Sequence, residues 1–379
     1  MTLKVKFTAA LYDSSGYSEA SRNYLCSLDT LVRAGLIELC ASSPKFELWH
    51  TSIGGYKPLV DHYCAKEFKP DVHIVHLTPD CYDRYIDKGV YTICYAAWET
   101  TILPEKWVAK INQMNECWVP SQFNVEVFKN SGVKIPVYAI PHAMNVDDFI
   151  TRADAGEQMD FNIPKDRYAF YSIFQWTERK NPIGLLRAYF AEFKATDPVV
   201  LVIKSYMKSH GASERDFIRA EIQRVRESMF IKDGAPVVYI GGDLSSAQIA
   251  QLHKRGDCLV FPTRAEGWGL PLSEAMCFGK PTITPNFGGH LDFANEQNSY
   301  LTKYGMTNCC FMPWGLYHGR MWWAEPDIQD TARMMRHVFN NQEEAKQKGL
   351  RAAADMRQFS WEKVGQMMWG RIKAAKGVG

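Results

Sequence analysis

The stretch that decides the fold is EGWGLPLSEA at residues 266–275. The apolar run at 258–261 before it predicts a buried strand, and its second half predicts the start of a helix. Its glycines let the backbone approach a ligand closely, and the helix N-terminus offers unpaired N–H groups to an anion. Glu266 precedes the turn, and Glu274 stands in the first helical turn, where the helix dipole favours a carboxylate. Such carboxylates can accept hydrogen bonds from the hydroxyls of a sugar or a ribose.

Strand and helix patterns alternate on both sides of this stretch. One series begins with a predicted strand at 4–11 and a second with a predicted strand at 168–174, and each runs through several strand-then-helix pairs. This alternation predicts parallel sheets with helices on both faces, so we expect an α/β protein with two doubly wound domains. The polar segment 147–165 is the expected boundary. Ligands of such sheets bind beyond the carboxyl ends of the strands, so the loops that follow strands are the candidate sites.

The composition narrows the class of protein without naming a function. The chain has 379 residues, of which 46% are hydrophobic and 23% charged, as in globular proteins and unlike disordered ones. A net charge of +2 argues against a general nucleic-acid coat protein, while it allows local basic patches. Residues 204–232 hold an excess of Lys and Arg, which is typical of a solvated helix face.

Targeting and redox signals point to the cytoplasm. Residues 1–7 lack the apolar core of a signal peptide, and no stretch approaches the roughly 18 consecutive apolar residues of a membrane span. The ten cysteines form no CxxC pair and most lie within apolar runs. We therefore expect buried free thiols in a cytoplasmic protein, and neither a zinc site nor a disulfide framework.

The stretch at 266–275 resembles the E-x7-E signature of family 4 glycosyltransferases of the GT-B fold. The sequence around it resembles the same family, before it at 250–262 and after it at Gly279-Lys280-Pro281 and at Gly288-Gly289. The resemblance runs over nearly the whole chain and is most specific between residues 170 and 290.

The resemblance implies the GT-B architecture, in which two Rossmann-like doubly wound domains face each other across a cleft. The implied parts are an acceptor domain at 1–155, a nucleotide-sugar donor domain at 156–357 and a C-terminal helix at 358–379 that packs back on the first domain. The resemblance also implies that Glu274 holds the ribose hydroxyls and that Glu266 contacts hydroxyls of the donor sugar. The residues implied beside that sugar are Gly267, Trp268, Gly269 and Leu270. Gly241, which follows the predicted strand at 237–240, is a further candidate for donor binding.

A second motif supplies positive charge. Arg179 and Lys180 follow the strand at 168–174 and precede a predicted helix with Asn181 as N-cap and Pro182 at its first position. Departure of the leaving group from a nucleotide sugar puts negative charge on the diphosphate, which Arg can bind bidentately and Lys as a point charge. In the family, an Arg and a Lys here contact the diphosphate. The family often separates these two residues, whereas this chain has them adjacent.

The acceptor side is less well defined than the donor side. In the family, a glycine-containing loop after the first strand lies over the diphosphate and the acceptor, and Gly16 is the residue at that place. The family often has a histidine after the strand that corresponds to 92–97, where this chain has Glu99. Glu99 is therefore the candidate catalytic residue, either orienting the acceptor or facing the reacting centre. His76 and His142 are alternatives, although a histidine at a strand end is more often structural.

The sequence predicts a site that works without a metal ion. It has no Asp-x-Asp pattern, the motif that carries a divalent ion in the other large glycosyltransferase fold. Arg179, Lys180 and helix termini can supply the positive charge instead. No cofactor is expected beyond the donor substrate, for which a UDP- or GDP-sugar is expected.

These observations predict a glycosyltransferase that moves a hexose or pentose from a nucleotide-diphosphate sugar to a hydroxyl acceptor. The resemblance implies retention of configuration at the anomeric carbon. The acceptor stays open between a glycan, a lipid-linked glycan, a small molecule and a hydroxymethylated DNA base, on which some phage GT-B enzymes act. Two alternatives belong to other classes: a nucleotide-sugar epimerase of similar fold, and a non-catalytic module that binds sugar nucleotides or glycans.

Overall fold

The computed structural model describes residues 2–13, 15–44, 53–87, 89–155, 157–208, 210–309 and 316–377. The chain divides into two compact units, one formed by Met1–Asn145 with Arg357–Gly379 and the other by Val146–Met356. The helices are α1 (Gly16–Arg33), α2 (Lys57–Cys64), α3 (Glu105–Ile111), α4 (Gln122–Asn130), α5 (Val146–Arg152), α6 (Pro182–Glu192), α7 (Ala212–Ser228), α8 (Ser246–Arg255), α9 (Leu270–Cys277), α10 (Ile328–Asn340), α11 (Gln342–Met356) and α12 (Trp361–Lys376). The strands are β1 (Leu3–Ala9), β2 (Ile37–Ser42), β3 (Val72–His76), β4 (Tyr91–Tyr95), β5 (Glu116–Val119), β6 (Val137–Ala139), β7 (Tyr168–Gln175), β8 (Val199–Tyr206), β9 (Val237–Ile240), β10 (Cys258–Val260), β11 (Thr282–Pro285), β12 (Tyr300–Thr302), β13 (Tyr304–Asn308) and β14 (Trp322–Pro326).

Among the described residues, the first unit has a parallel sheet of six strands in the order β2-β1-β3-β4-β5-β6. Every residue of β3 is buried, as expected for a parallel strand that is covered on both faces. The chain order reverses between β1 and β3, and a crevice forms beyond the carboxyl ends of strands at such a switch point. The turn that follows β1 and carries Gly16 stands at this place.

The second unit has its own parallel sheet, in the order β12-β11-β10-β7-β8-β9. Counted from β7 as the first strand, this is the 3-2-1-4-5-6 order of dinucleotide-binding folds. The order reverses between β7 and β10, which pair directly. The loops that follow these two strands therefore lie side by side at the carboxyl edge of the sheet. The strands β13 and β14 form a separate antiparallel pair.

Several helix boundaries follow the signals in the sequence. Asn181 caps α6 with φ of 55°, and its Oδ1 accepts a hydrogen bond from the backbone N–H of Gly184 at 3.1 Å. Ser245 and Gln248 form the predicted capping box at the start of α8. Gly279 takes φ of 64° after the end of α9, a left-handed conformation that suits glycine. The predicted α/β fold with two Rossmann-like, doubly wound domains is confirmed.

The helix α12 completes the first unit, although it follows the second unit in sequence. It packs along α1, where the indole N–H of Trp361 donates to Asn23 Oδ1 at 2.8 Å. Farther along the helix, Arg371 pairs with the buried carboxylate of Glu116 through two contacts of 2.8 and 3.0 Å. The implied return of the C-terminal helix to the first domain is confirmed.

None of the helices in the described residues is both long enough and apolar enough to cross a membrane. The cysteines within the same part of the chain are free thiols, most of them buried. Cys310 lies outside the described residues.

Gly365 allows α12 to lie directly against α1. A Cβ atom at this position would stand 2.6 Å from the carbonyl oxygen of Ser27 and 2.7 Å from Thr30 Oγ1. Gly365→Ala should therefore push the two helices apart and lower the free energy of unfolding by about 1–3 kcal/mol. Chemical denaturation followed by circular dichroism measures this loss.

Gly370 provides the matched control in the same helix. It is exposed, and a Cβ atom there would meet nothing within 4 Å. Gly370→Ala should raise the stability by up to about 1 kcal/mol, because alanine has the higher helix propensity. Equal effects of the two substitutions would contradict the close packing of α12 on α1.

Candidate functional site

Glu266 lies at the switch point of the second unit, in the loop that follows β10. Its side chain is buried, and its Oε1 accepts hydrogen bonds from Arg179 Nη1 at 3.1 Å, Lys180 Nζ at 2.5 Å and Thr263 Oγ1 at 2.9 Å. Arg179 and Lys180 come from the turn after β7. The structure therefore brings the two predicted motifs together, with both cations on one carboxylate oxygen.

Backbone contacts hold these two loops against each other. The backbone N–H of Arg264 donates to the carbonyl oxygen of Arg179 at 2.7 Å, and Arg179 Nη1 donates to the carbonyl oxygen of Ala265 at 2.8 Å. The guanidinium of Arg264 pairs with both carboxylate oxygens of Glu325 on β14, at 2.7 and 3.0 Å. This ion pair thus links the antiparallel pair of strands, β13 and β14, to the loop that carries Glu266.

The Glu266 carboxylate stays ionised despite its burial. Burial by itself raises the pKa of this carboxyl, but the positive charges of Lys180 and Arg179 outweigh that effect and lower the pKa below its usual value. One negative and two positive groups therefore share a largely dry site. The surplus of positive charge suits an anionic ligand.

The position of Glu274 in its helix and the group that faces its carboxylate both differ from the sequence-based prediction. Because α9 begins at Leu270, Glu274 is its fifth residue, and its predicted position in the first helical turn is wrong. Instead of the helix dipole, a buried histidine faces it: Glu274 Oε2 lies 3.3 Å from His253 Nε2. On the other side of the ring, His253 Nδ1 lies 2.9 Å from the hydroxyl of Tyr171.

His253 is a site residue that sequence reasoning missed. It is fully buried on α8, next to Leu252, so the sequence pattern there indicates only a core position of an amphipathic helix. Thr263, which donates to Glu266, was also missed. Neither residue has a local motif, and only the packing of α8 and of the loop after β10 reveals their roles.

The turn between the two glutamates is shaped by its glycines. Gly269 caps α9 with φ of 96°, a conformation that other residues rarely adopt, and its carbonyl accepts from the backbone N–H of Ser273 at 3.1 Å. Trp268 is buried with its ring 4.7 Å from that of Phe293, so its side chain packs inward. The predicted donor-side backbone thus adjoins Glu266. Its residues are Gly267, Trp268, Gly269 and Leu270.

Gly241 follows β9 at the same edge of this sheet. A Cβ atom at this position would stand 2.7 Å from the Tyr239 hydroxyl and 2.9 Å from side-chain carbons of Arg215. A larger residue here would therefore displace the side chains of Tyr239 and Arg215.

In the first unit, Gly16 and Glu99 lie at the carboxyl edge of the sheet. Gly16 is exposed at the start of α1, after the cap residue Ser15. The ring of Tyr17, next to Gly16, stacks on that of His76 with 4.1 Å between centroids. Burial and then neighbouring charges, including that of Glu99, raise the pKa of Tyr17.

The two alternative histidines of the first unit are buried and neutral. His76 Nδ1 lies 2.8 Å from Ser21 Oγ, and His142 Nδ1 is hydrogen-bonded to the hydroxyl of Tyr24. Burial lowers the pKa of His142 to about 3 and that of His76 well below its usual value. Both histidines therefore help to pack the edge of the sheet. Within the described residues, no group of three or more His, Cys, Asp or Glu side chains forms a candidate metal site.

Part of the amino-acid sequence matches a known protein family. Residues 157–305 match the family described as glycosyl transferases group 1. A curated relative, the sulfoquinovosyl transferase SQD2 of Arabidopsis thaliana, is 26% identical over 128 residues. The matched part is 34% of this chain and 22% of that protein, so the chain matches about a fifth of its relative's length.

Solved structures resemble the chain over nearly all of its length. Sucrose-phosphate synthase of Thermosynechococcus elongatus has a TM-score of 0.70 at 13% identity, with 100% of both chains covered. A glycosyltransferase of Rickettsia africae has a TM-score of 0.70 at 12% identity, also with full coverage. HepE of Anabaena, in complex with UDP-glucose, has a TM-score of 0.63 at 13% identity over 98% of this chain and 100% of that one.

The fold defined by these likenesses is the GT-B fold of glycosyltransferases, as the resemblance in the sequence implied. Within it, residues 157–305 are similar to the group 1 glycosyl transferases. The family match covers both Glu266 and Glu274 as well as Arg179 and Lys180.

Glu266→Gln should make the stability of the protein less dependent on pH. Removal of the charge leaves Arg179 and Lys180 facing a neutral amide, which should cost about 3–5 kcal/mol at pH 7. Because the folded pKa of Glu266 lies below its usual value of 4.5, its stabilising effect is complete above that value and is lost as the pH falls through the folded pKa. The stability gap between wild type and variant should therefore shrink below pH 4.5.

Denaturant titrations between pH 7 and pH 3 test this expectation. Glu296→Gln is the control, since Glu296 is exposed in the same unit and its neutralisation should change little. A gap between wild type and Glu266→Gln that stays constant down to pH 3 would contradict the ion-pair assignment.

Proposed function

We propose that this protein transfers a sugar from a nucleotide-diphosphate sugar to a hydroxyl group of an acceptor. The observation that carries the proposal is the convergence of Glu266, Arg179 and Lys180 at the switch point of the second sheet. Support for a nucleotide sugar as donor comes from the family match and from HepE, a structural neighbour solved with UDP-glucose.

Arg179 and Lys180 bind the diphosphate of the donor. Without donor both cations are occupied by Glu266, so an entering diphosphate takes over some of their hydrogen bonds. As the bond from the sugar to the phosphate breaks, negative charge grows on the leaving oxygen. The fixed cations stabilise this charge more in the transition state than in the bound donor, which accelerates the reaction.

The two glutamates bind the hydroxyls of the donor. Glu266, partly released from its cations, accepts hydrogen bonds from the sugar, while the backbone of residues 267–270 lies beside it. Glu274 accepts from the ribose. His253 and Tyr171 fix the carboxylate of Glu274, so that less rotamer entropy is lost when the donor binds.

The reaction retains the configuration of the anomeric carbon. The bond from this carbon to the phosphate oxygen breaks, and the acceptor oxygen forms its bond on the same face. The acceptor proton passes to the departing phosphate, so the step needs no strong base from the protein. This is compatible with the neutral, buried His76 and His142. Glu99 is assigned to the acceptor or the reacting centre, and the loop of Gly16 to the diphosphate and the acceptor.

Glu274→Gln and Arg179→Ala should each lower turnover of the donor by about 100- to 1,000-fold, because each removes a fixed group that contacts the donor. Release of UDP or GDP from a panel of nucleotide sugars measures turnover. Circular dichroism checks that the variants are folded.

Exposed residues of the same unit provide the controls. Glu296→Gln and Arg187→Ala change the same residue types at exposed positions and should keep turnover near that of wild type. If both site variants also turn over donor at nearly the wild-type rate, the assignment of this site is wrong. Epimerised donor formed without any acceptor would instead identify an epimerase.

Retention has its own test. With a donor in the α configuration, the first sugar released or transferred should be the α anomer, which proton NMR distinguishes before the anomers of a free sugar equilibrate. Initial appearance of the β anomer would refute retention and leave glycosyl transfer itself in place.

A further inference from the structure

A buried lysine lies in the second unit at a place where the sequence suggested a solvated face. Lys204 stands on β8 after a run of fully buried apolar residues, and only 4% of it is exposed. Lysine is rarely buried to this degree unless it is paired. Within the described part of the chain, Lys204 has its ammonium 5.2 Å from the centre of the Tyr206 ring but makes no hydrogen bond and no ion pair.

This arrangement is unfavourable in the absence of a ligand. Burial lowers the pKa of Lys204 to about 8, and the charge of Asp243 opposes this effect only in part. An ammonium that has lost part of its water without gaining an acceptor costs free energy. A ligand that presents an acceptor oxygen to it recovers that free energy on binding.

The register of the sheet shows which face Lys204 occupies. It pairs with Ile173 on β7 and with Ile240 on β9, so the three side chains share one face. Tyr171, two residues before Ile173, lies on that same face and connects through His253 to Glu274. Lys204 is therefore on the face of the proposed ribose-binding carboxylate.

Lys204 lies away from the proposed diphosphate site, because its strand is not next to the strand that leads to Glu266. Neighbouring strands are about 4.8 Å apart, so β8 lies roughly 10 Å from β10, the strand that leads to Glu266. Lys204 instead borders the loop after β9. There the ring of His210 lies 3.7 Å from a carboxylate oxygen of Asp243. Because Lys204 shares the face of Glu274, we infer that a nucleotide with its ribose at Glu274 extends its base toward this side.

We propose that Lys204 selects the base of the nucleotide, by donating a hydrogen bond to a keto oxygen. This inference rests on the proposed function. An ammonium group can only donate, so it accepts a base that presents an oxygen and rejects one that presents an amino group at the same place. Uracil presents an oxygen where cytosine has an amino group, and guanine does so where adenine has one. The donors selected are thus uridine or guanosine diphosphate sugars.

The test compares matched nucleotides by isothermal titration calorimetry on the full chain. The two pairs are UDP with CDP and GDP with ADP, and the site should admit one of them. In that pair, wild type should bind the nucleotide with the keto oxygen, UDP or GDP, about 10- to 100-fold more tightly than its partner with the amino group. Lys204→Met, which keeps the length of the side chain and removes the charge, should bring this ratio close to one. Its Tm should not fall, because Lys204 makes no hydrogen bond or ion pair with the described residues that the substitution would remove, so weaker binding will not reflect unfolding.

Lys208→Met is the control, since Lys208 is exposed four residues farther along and should leave the ratio unchanged. Equal affinity of wild type for both members of each pair would overturn the inference while the proposed function stands. A uniform loss of affinity for all four nucleotides in Lys204→Met would also overturn it and assign Lys204 to the phosphates. If wild type binds none of the four, the proposed function fails together with the inference.

Discussion

The buried ion pair between Glu266 and the adjacent cations Arg179 and Lys180 is the interaction on which the site depends. Removing three charged groups from water is expensive, and the cost is offset only when their hydrogen bonds are well made. Here the two loops at the switch point are locked together by additional backbone contacts, so the charges meet in a fixed geometry. Weakening any of the three would loosen both loops at once.

The same ion pair prepares the site for an anion. The cations are already desolvated and held in place, so a diphosphate meets donors that need little reorganisation. The carboxylate that holds them is also the group assigned to the sugar. Under the proposed function, binding of the two halves of a donor would thereby be coupled, since the phosphates would have to loosen Glu266 before it could turn to the hydroxyls.

Much of the fold follows from local signals, but the partners of the site residues do not. The alternation of apolar runs and helix caps such as Asn181 and Ser245 specifies strands and helices within a few residues, because these signals act over short range. The edge strand β2 has no such signal, since its six residues follow the end of α1 after a short turn and have no flanking motif. His253 meets Glu274 only because α8 and α9 pack together, and Lys204 looked like part of a charged helix. Such contacts depend on tertiary packing, which periodicity does not encode.

The close packing of α12 on α1 has a consequence for how the chain is made. The strands of the first sheet leave the ribosome early. The surface of α1 that includes Ser27 and Asn23 is covered only later, because α12 is synthesised after the whole second unit. The second unit is continuous in sequence and can therefore reach its folded state first. Until α12 arrives, this side of α1 stays open to solvent, so the first unit completes its packing only after the second unit has been made.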